Sequence, residues 1–283
     1  MELHRFAADD GEEIRVQVAG SGPPIVLLHE WASSHRVWEP IAHRLTDRFT
    51  VYRWDARGHH GHGEPLPPPS GRPVSVERMA DDLACLLDHF RLQRPVVVGH
   101  SMGALTLWCY IARHGCGRLR RIGIIDQSPR LVTDADWKLG IYGDWSPARD
   151  AAFVADMRRD FVDAVVRLVC CGLNERARIR YQNHHAGIER MRTYLGMLDH
   201  APLIEVWQTL SRVDFRPLLP TIPLPALLVY GSNSNYYPPA TGPWVRDALP
   251  DARLSVYENT DHSPHVALPE RFAADLAAFA AAG

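Results

Sequence analysis

The chain reads as an α/β protein: a doubly wound, mostly parallel sheet with a block of helices inserted into it. Three observations predict this. Short apolar runs alternate with amphipathic helical stretches up to residue 130 and again from residue 220. Between them, from Leu131 to Leu219, helical spacing continues without a clear strand. One junction, Pro95-Val-Val-Val-Gly99-His100-Ser101-Met102-Gly103-Ala104, ends a β-branched run in Gly-x-Ser-x-Gly and passes at once into the helical pattern Leu105, Leu107, Trp108, Ile111. A strand that turns sharply into a helix around such a serine exposes its hydroxyl at the tip.

Residues 2–19 alternate around Asp9-Asp10-Gly11 and predict an N-terminal β-hairpin, which Ser21-Gly22-Pro23-Pro24 ends. Ile25–Leu28 is wholly apolar, as a strand buried on both faces requires. It runs into His29-Glu30-Trp31, and a helix is expected from Val37 to Leu45. Val51–Trp54 is the next strand, ending in Asp55-Ala-Arg57-Gly58-His59. His59, His60 and His62 stand among Gly58, Gly61 and Gly63, before the proline-rich run Pro65–Pro69. That setting predicts a turn rather than a metal site, because ligands need a rigid scaffold and second partners. Ser75 is placed to cap a helix whose stripe is Met79, Leu83, Leu86, Leu87 and Phe90. After the Gly-x-Ser-x-Gly helix, Arg121–Ile125 is a buried strand ending in Asp126-Gln-Ser-Pro-Arg130.

The helical block carries Phe153/Met157/Phe161, Ile188/Met191/Leu195/Leu198 and Ile204/Trp207/Leu210, and is expected to form a cap over the sheet. Alternation resumes with the strand Ala226–Tyr230, a helix from Pro239 to Leu249 and the strand Leu254–Tyr257. Asn259-Thr-Asp261-His262-Ser-Pro-His265 follows, then a helix from Pro269 to Ala282. The expected division is a core of residues 1–130 and 220–283 with a cap of residues 131–219.

Composition narrows the function. The chain has 283 residues, 46% hydrophobic and 23% charged, with a formal net charge of −2. That length suits one large domain with a sizeable core, and that balance gives no reason to expect a nucleic-acid partner. No apolar run reaches membrane-spanning length, and Met-Glu-Leu-His-Arg lacks a signal-peptide core, so no membrane partner is expected and the cytoplasm is the expected compartment. The five cysteines, Cys85, Cys109, Cys116, Cys170 and Cys171, form no Cys-x-x-Cys pair and are expected to be reduced and mostly buried. No dinucleotide fingerprint or flavin motif is present. The expectation is therefore no metal and no organic cofactor, and a small-molecule substrate; a homodimer is the assembly considered, with the oligomeric state left open.

Taken in order, the Gly-x-Ser-x-Gly turn, His29-Glu-Trp after a strand, Asp55-x-Arg57-Gly-His59, and Asp261-His262-Ser-Pro-His265 before the last helix resemble the α/β-hydrolase fold superfamily over essentially the whole chain. The motifs are specific for the superfamily and weak for any one activity. The resemblance implies a serine nucleophile, Ser101, which needs a base within hydrogen-bond reach. It places that base at His262, with His265 packed beneath. It also implies an oxyanion hole from the backbone N–H groups of Met102 and Trp31. Glu30 stands where the family usually has glycine, and a carboxylate there needs a partner or must point away.

The superfamily usually sets its acid a few residues after the strand at 226–230, but Gly231–Pro238 holds no carboxylate. Some members place it one strand earlier, where Asp126 stands, so Asp126 is the expected third triad member. A Ser–His dyad and Asp261 are the alternatives. Glu30, His100, Trp137, Tyr142, Trp145 and Trp207 are the expected substrate-contacting residues; Phe153 and Tyr194 add aromatic surface to the cap.

These features imply hydrolysis of a small or medium apolar ester, thioester or lactone through an acyl-enzyme. A second resemblance touches the cofactor-free ring-cleaving dioxygenases of 3-hydroxy-4-quinolones, which share the fold and the displaced acid. Their Trp-x-x-x-His-Arg-Val segment resembles Trp31-Ala-Ser-Ser-His35-Arg36-Val37, although Ser33 replaces their second active-site histidine. It implies proton abstraction from a heteroaromatic substrate by a His–Asp pair. A non-catalytic ligand-binding member is the third reading.

Overall fold

The computed structural model describes residues 2–59 and 70–282. Among these, eight strands form one sheet: β1 (Glu2–Ala7), β2 (Glu13–Ala19), β3 (Pro24–Leu28), β4 (Thr50–Asp55), β5 (Val96–His100), β6 (Arg121–Ile125), β7 (Ala226–Gly231) and β8 (Ala252–Tyr257). Their spatial order is β1-β2-β4-β3-β5-β6-β7-β8. The hairpin β1–β2 and the pair β2–β4 are antiparallel; every later pair is parallel.

The residues explain the order. β5 and β6 are buried along their whole lengths, and β3 and β7 nearly so, as central strands covered on both faces must be. At the edge, β8 is only partly covered and Val256 is exposed. One face packs on α2 (Val76–His89) and α3 (Met102–His114), where Leu83, Leu87, Trp108 and Tyr110 are fully buried. The other packs on α1 (Glu39–Ala42) and the C-terminal helix, where Trp38, Tyr257 and Phe272 are fully buried. Ser75 caps α2, its Oγ accepting from Arg78 N at 3.2 Å.

The helix expected at Val37–Leu45 is instead a 3₁₀ turn, His35–Trp38, and the single α-turn of α1, with proline at its start. Pro40 suits a first turn, where its missing N–H costs nothing. Near the C-terminus an extra turn, residues 264–267, precedes the expected helix. Leu268 separates the two with φ −131°, the extended bias of a residue before proline. Only Cys109 and Cys170 of the five free thiols are buried, which corrects the expectation that most would be. Cys171 is exposed where α5 (Phe161–Cys170) ends, and Cys85 and Cys116 are half-buried.

Between β6 and β7 the chain is helical: α4 (Pro147–Arg159), α5, α6 (Glu175–Gln182), α7 (Ala186–Leu195) and α8 (His200–Leu210). The indoles of Trp145 and Trp207 both donate to Asp150 Oδ1 at 3.0 Å, tying α4 to α8. Trp31 Nε1 donates to Leu203 O at 2.9 Å and so joins the loop after β3 to α8. No helix among the described residues is long and apolar enough to cross a membrane. The remaining helices are α9 (Thr241–Ala248), α10 (Pro264–Ala267) and α11 (Pro269–Ala281).

The Asp55-x-Arg57 segment has a structural task. Arg57, 1% exposed, pairs through both its Nε and its Nη2 with Asp82, which is wholly buried on α2. It also donates to Asp10 Oδ2 at 2.8 Å and to Pro73 O at 3.1 Å. Arg57 thereby joins the hairpin turn, the end of β4 and α2. Asp82→Ala leaves the buried guanidinium with only Asp10 and Pro73 O and is expected to cost about 3–5 kcal/mol in urea unfolding.

Candidate active site

The site is built at the C-terminal edge of the sheet. Ser101 sits between β5 and α3 with φ 52° and ψ −116°, a strained conformation for a residue with a Cβ. The turn closes because its flanks are glycine. A Cβ on Gly99 would lie 2.3 Å from the Gly103 backbone, and one on Gly103 would lie 2.3 Å from Leu28 O.

Asp126 stands at the end of β6, adjacent to the elbow strand, and is fully buried with φ 40°. Its carboxylate accepts from Gly231 N at 3.0 Å and Ser234 Oγ at 2.9 Å. His262, on the loop between β8 and α10, brings Nδ1 to 3.3 Å from Asp126 Oδ1. Ser234 belongs to the stretch where the family usually sets its acid. That stretch lacks a carboxylate and uses a backbone N–H and a hydroxyl to hold the carboxylate of the neighbouring strand. Tyr236 N and Tyr237 N donate to Ser234 Oγ at 3.3 and 3.2 Å, which fixes the hydroxyl.

Burial pushes the His262 imidazole below its ordinary pKa of 6.5, against the opposing pull of Asp126. A base must be neutral, so the lowered value extends the working range downward. Activity is expected to persist below pH 6.5 and to be lost only at more acidic pH, which a pH profile of kcat/KM checks. Ser101 Oγ has no hydrogen-bond partner among the described residues; it and His262 line the same pocket. Such bonds often close only when substrate is bound.

His29 organises the turn after β3. Ala56 N donates to its Nε2 at 3.0 Å, so the ring proton is on Nδ1, which donates to Glu30 O at 2.7 Å. Burial lowers the pKa of His29 and favours this neutral form. In a trans peptide C=O and N–H point opposite ways. Holding the Glu30 carbonyl therefore turns the Trp31 N–H away from His29. Met102 N opens helix α3, where unpaired N–H groups favour developing negative charge. Glu30 itself is partnered: Oε2 lies 3.1 Å from His100 Nδ1, and His100 holds its carboxyl well below the usual carboxylate range against the opposing effect of burial. His265 packs beneath, its ring 4.4 Å from that of His100 and 4.7 Å from that of Trp38.

The pocket over Ser101 has a cavity volume of about 70 Å³, room for a few waters or a short acyl group. Its apolar walls include Leu105, Leu131, Ile141, Leu168 and Leu210, with Gln127, Tyr236 and Tyr237 at the Asp126 side. Of the four expected cap aromatics only Trp207 is in the lining. Trp137 donates to Arg130 O at 3.0 Å and packs on Trp244, 4.8 Å away. Tyr142 hydrogen-bonds Leu168 O, and Trp145 is drawn to Asp150; both face a separate surface depression with Arg149. His100 is fully buried behind the elbow and does not reach the pocket. Glu30 does line it. Sequence reasoning missed Gln127, Leu168, Tyr236 and Tyr237. Gln127 and the tyrosines neighbour residues already singled out; Leu168 carries no signal beyond its helical spacing.

No group of three metal-ligating side chains occurs among the described residues. His59 is buried, with Nδ1 3.0 Å from Arg57 O and its ring 5.0 Å from that of His29. His60 and His62 lie outside the described residues.

Comparisons with known proteins agree with this architecture. A family model described as alpha/beta hydrolase fold matches residues 23–267. The chain is 28% identical to a pimeloyl-[acyl-carrier protein] methyl ester esterase of Vibrio vulnificus, over 95% of this chain and 98% of that protein. It is 28% identical to a non-heme chloroperoxidase of Kitasatospora aureofaciens, over 89% of this chain and 90% of that one. Among solved structures, an esterase from Exiguobacterium antarcticum superposes with TM-score 0.82 at 19% identity, covering 98% of this chain and 99% of that one. An enol-lactonase from Burkholderia xenovorans superposes with TM-score 0.77 at 23% identity, with the same coverages. With the family model spanning both halves of the sheet and the elbow between them, the chain belongs to the α/β-hydrolase fold family.

Proposed function

We propose that this protein is a serine ester hydrolase that cleaves small or medium apolar esters, thioesters or lactones through an acyl-enzyme intermediate. One observation carries the reading: Ser101, on a strained elbow, shares a mostly apolar pocket with His262, whose Nδ1 lies 3.3 Å from Asp126.

In this reading His262 Nε2 takes the Ser101 proton as Oγ attacks the ester carbonyl. Asp126 holds the Nδ1–H tautomer and stabilises the imidazolium. The N–H groups of Met102 and Trp31 receive the oxyanion, each worth about 3 kcal/mol of barrier. His262 then returns the proton to the leaving alcohol, and water repeats the sequence on the acyl-enzyme. The cavity of about 70 Å³ favours short acyl groups, and the inserted helices act as the cap that excludes water and sets the substrate. The relatives named as methyl ester esterases put esters of small alcohols first in a substrate panel.

The position of Asp126 at the end of β6 also fits proton abstraction of the ring-cleaving dioxygenase kind. Against it, the loop after β3 carries Ser33 where those enzymes have a second histidine. One experiment separates the readings. A fluorophosphonate is expected to add one phosphonyl group to the intact protein at Ser101, with loss of p-nitrophenyl butyrate hydrolysis. An unlabelled protein that consumes oxygen with a 3-hydroxy-4-quinolone would reverse the assignment. Labelling with a single turnover and retained product would make it a binding protein.

A further inference from the structure

The residue behind the nucleophile makes a contact that the ester-hydrolase mechanism does not use. His100 is fully buried, and both of its ring nitrogens face oxygen atoms. Nε2 lies 2.9 Å from the backbone carbonyl of His262, and Nδ1 lies 3.1 Å from Glu30 Oε2. A carbonyl oxygen can only accept, so Nε2 carries a hydrogen. An ionised carboxylate can only accept, so Nδ1 carries one as well. We propose that Glu30 and the His100 imidazolium form a second histidine–carboxylate pair, which holds the catalytic base His262 by its backbone and makes Glu30 a positioning residue for it.

The two pairs then meet on one residue. Asp126 orients the His262 ring through Nδ1. Glu30, through His100, anchors the carbonyl of the same residue, on the loop between β8 and α10. The imidazolium also offsets the Glu30 charge in the turn that presents the Trp31 N–H. A glycine at position 30, the family's usual residue, leaves His100 Nδ1 without this partner.

The groups around His100 leave Glu30 as the acceptor for Nδ1. From the loop after β3 comes Glu30. From the segment after β8 come the His262 ring, 4.8 Å away, and the His265 ring, 4.4 Å away. His265 is fully buried, with no hydrogen-bond partner for either nitrogen among the described residues, and burial pushes its pKa well below 6.5, so it stays neutral. Asp126 lies beyond His262 and is occupied by Gly231, Ser234 and His262.

This proposal rests on His262 being the base, and its test has two arms. In the first, kcat and KM for p-nitrophenyl butyrate are measured at neutral pH for the wild type, Glu30→Gly and Glu30→Gln. Glu30→Gly is expected to lower kcat about tenfold at neutral pH, the effect of losing one charge-assisted hydrogen bond, with KM within about twofold. Glu30→Gln is expected to recover most of that loss, because its amide N–H donates to the lone pair of a neutral His100.

In the second arm, ¹⁵N spectra of histidine-labelled protein, assigned with His100→Gln, are expected to show one histidine with both ring nitrogens protonated at neutral pH. That signature should vanish in Glu30→Gln. A Glu30→Gly kcat equal to that of the wild type, or a His100 with a single ring proton at neutral pH in the wild type, overturns the proposal. The spectrum of the wild type decides even where a variant does not fold. It also reads the pair without ester turnover, so failure of the hydrolase reading is seen separately.

Discussion

Replacing Ser101 with alanine is expected to lower kcat for a p-nitrophenyl ester by roughly 10⁵–10⁶-fold, with the fold intact by circular dichroism. The size follows from the role: without Oγ no acyl-enzyme forms, and only the oxyanion donors and the pocket remain to help water attack directly. Stability should change little: alanine keeps the same Cβ at φ 52°, and Oγ has no hydrogen-bond partner among the described residues, so the substitution removes no folded-state bond. Retention of more than about a tenth of the activity would exclude covalent catalysis at this residue and favour chemistry carried by His262 and Asp126 alone.

Much of the fold was legible because the central strands have no polar face to obscure them. Ile25–Leu28, Val96–Val98 and Ile122–Ile125 are apolar runs bounded by turn residues, and each lies in a parallel strand buried on both sides. The elbow was legible for a steric reason: Gly99 and Gly103 are needed where a Cβ would come within 2.3 Å of neighbouring backbone. Boundaries were less so. The short helix after β3 ends early because its spacing pattern, Val37 to Leu45, does not reveal that the chain begins as a 3₁₀ turn and restarts at Pro40.

The pocket was the least legible part. Trp137, Tyr142, Trp145 and Trp207 look alike in sequence, since an aromatic residue in a helical insertion serves equally to glue elements or to line a cavity. What separates them is the partner of each polar atom. Arg130 O takes the indole of Trp137, Leu168 O takes the hydroxyl of Tyr142, and Asp150 gathers the indoles of Trp145 and Trp207. Trp207 nonetheless keeps a face toward the pocket, with its ring 5.0 Å from that of Trp31. The partner of Glu30 was hidden for the same reason, because His100 lies seventy positions away and only the turn after β3 brings them together.

Asp126→Asn is expected to lower kcat by about 10⁴-fold with little change in KM. The asparagine keeps the shape and still accepts from Gly231 N, so the protein should fold. Its amide, however, presents N–H groups toward an imidazole nitrogen that must itself donate. His262 is then held in the wrong tautomer, and the charge that stabilises its imidazolium is gone. Because Asp126 opposes the downward pull of burial on His262, its neutralisation should also move the acid limb of the residual activity to lower pH. Ser234→Ala is the graded control. It removes one of the hydrogen bonds to the carboxylate, at 2.9 Å, and leaves Gly231 N and His262 Nδ1 in place. A loss of about three- to tenfold is expected, the effect of one hydrogen bond to a charged group. If Asp126→Asn costs no more than Ser234→Ala, Asp126 is only a structural acceptor for the loop after β7, and the site works as a Ser–His dyad.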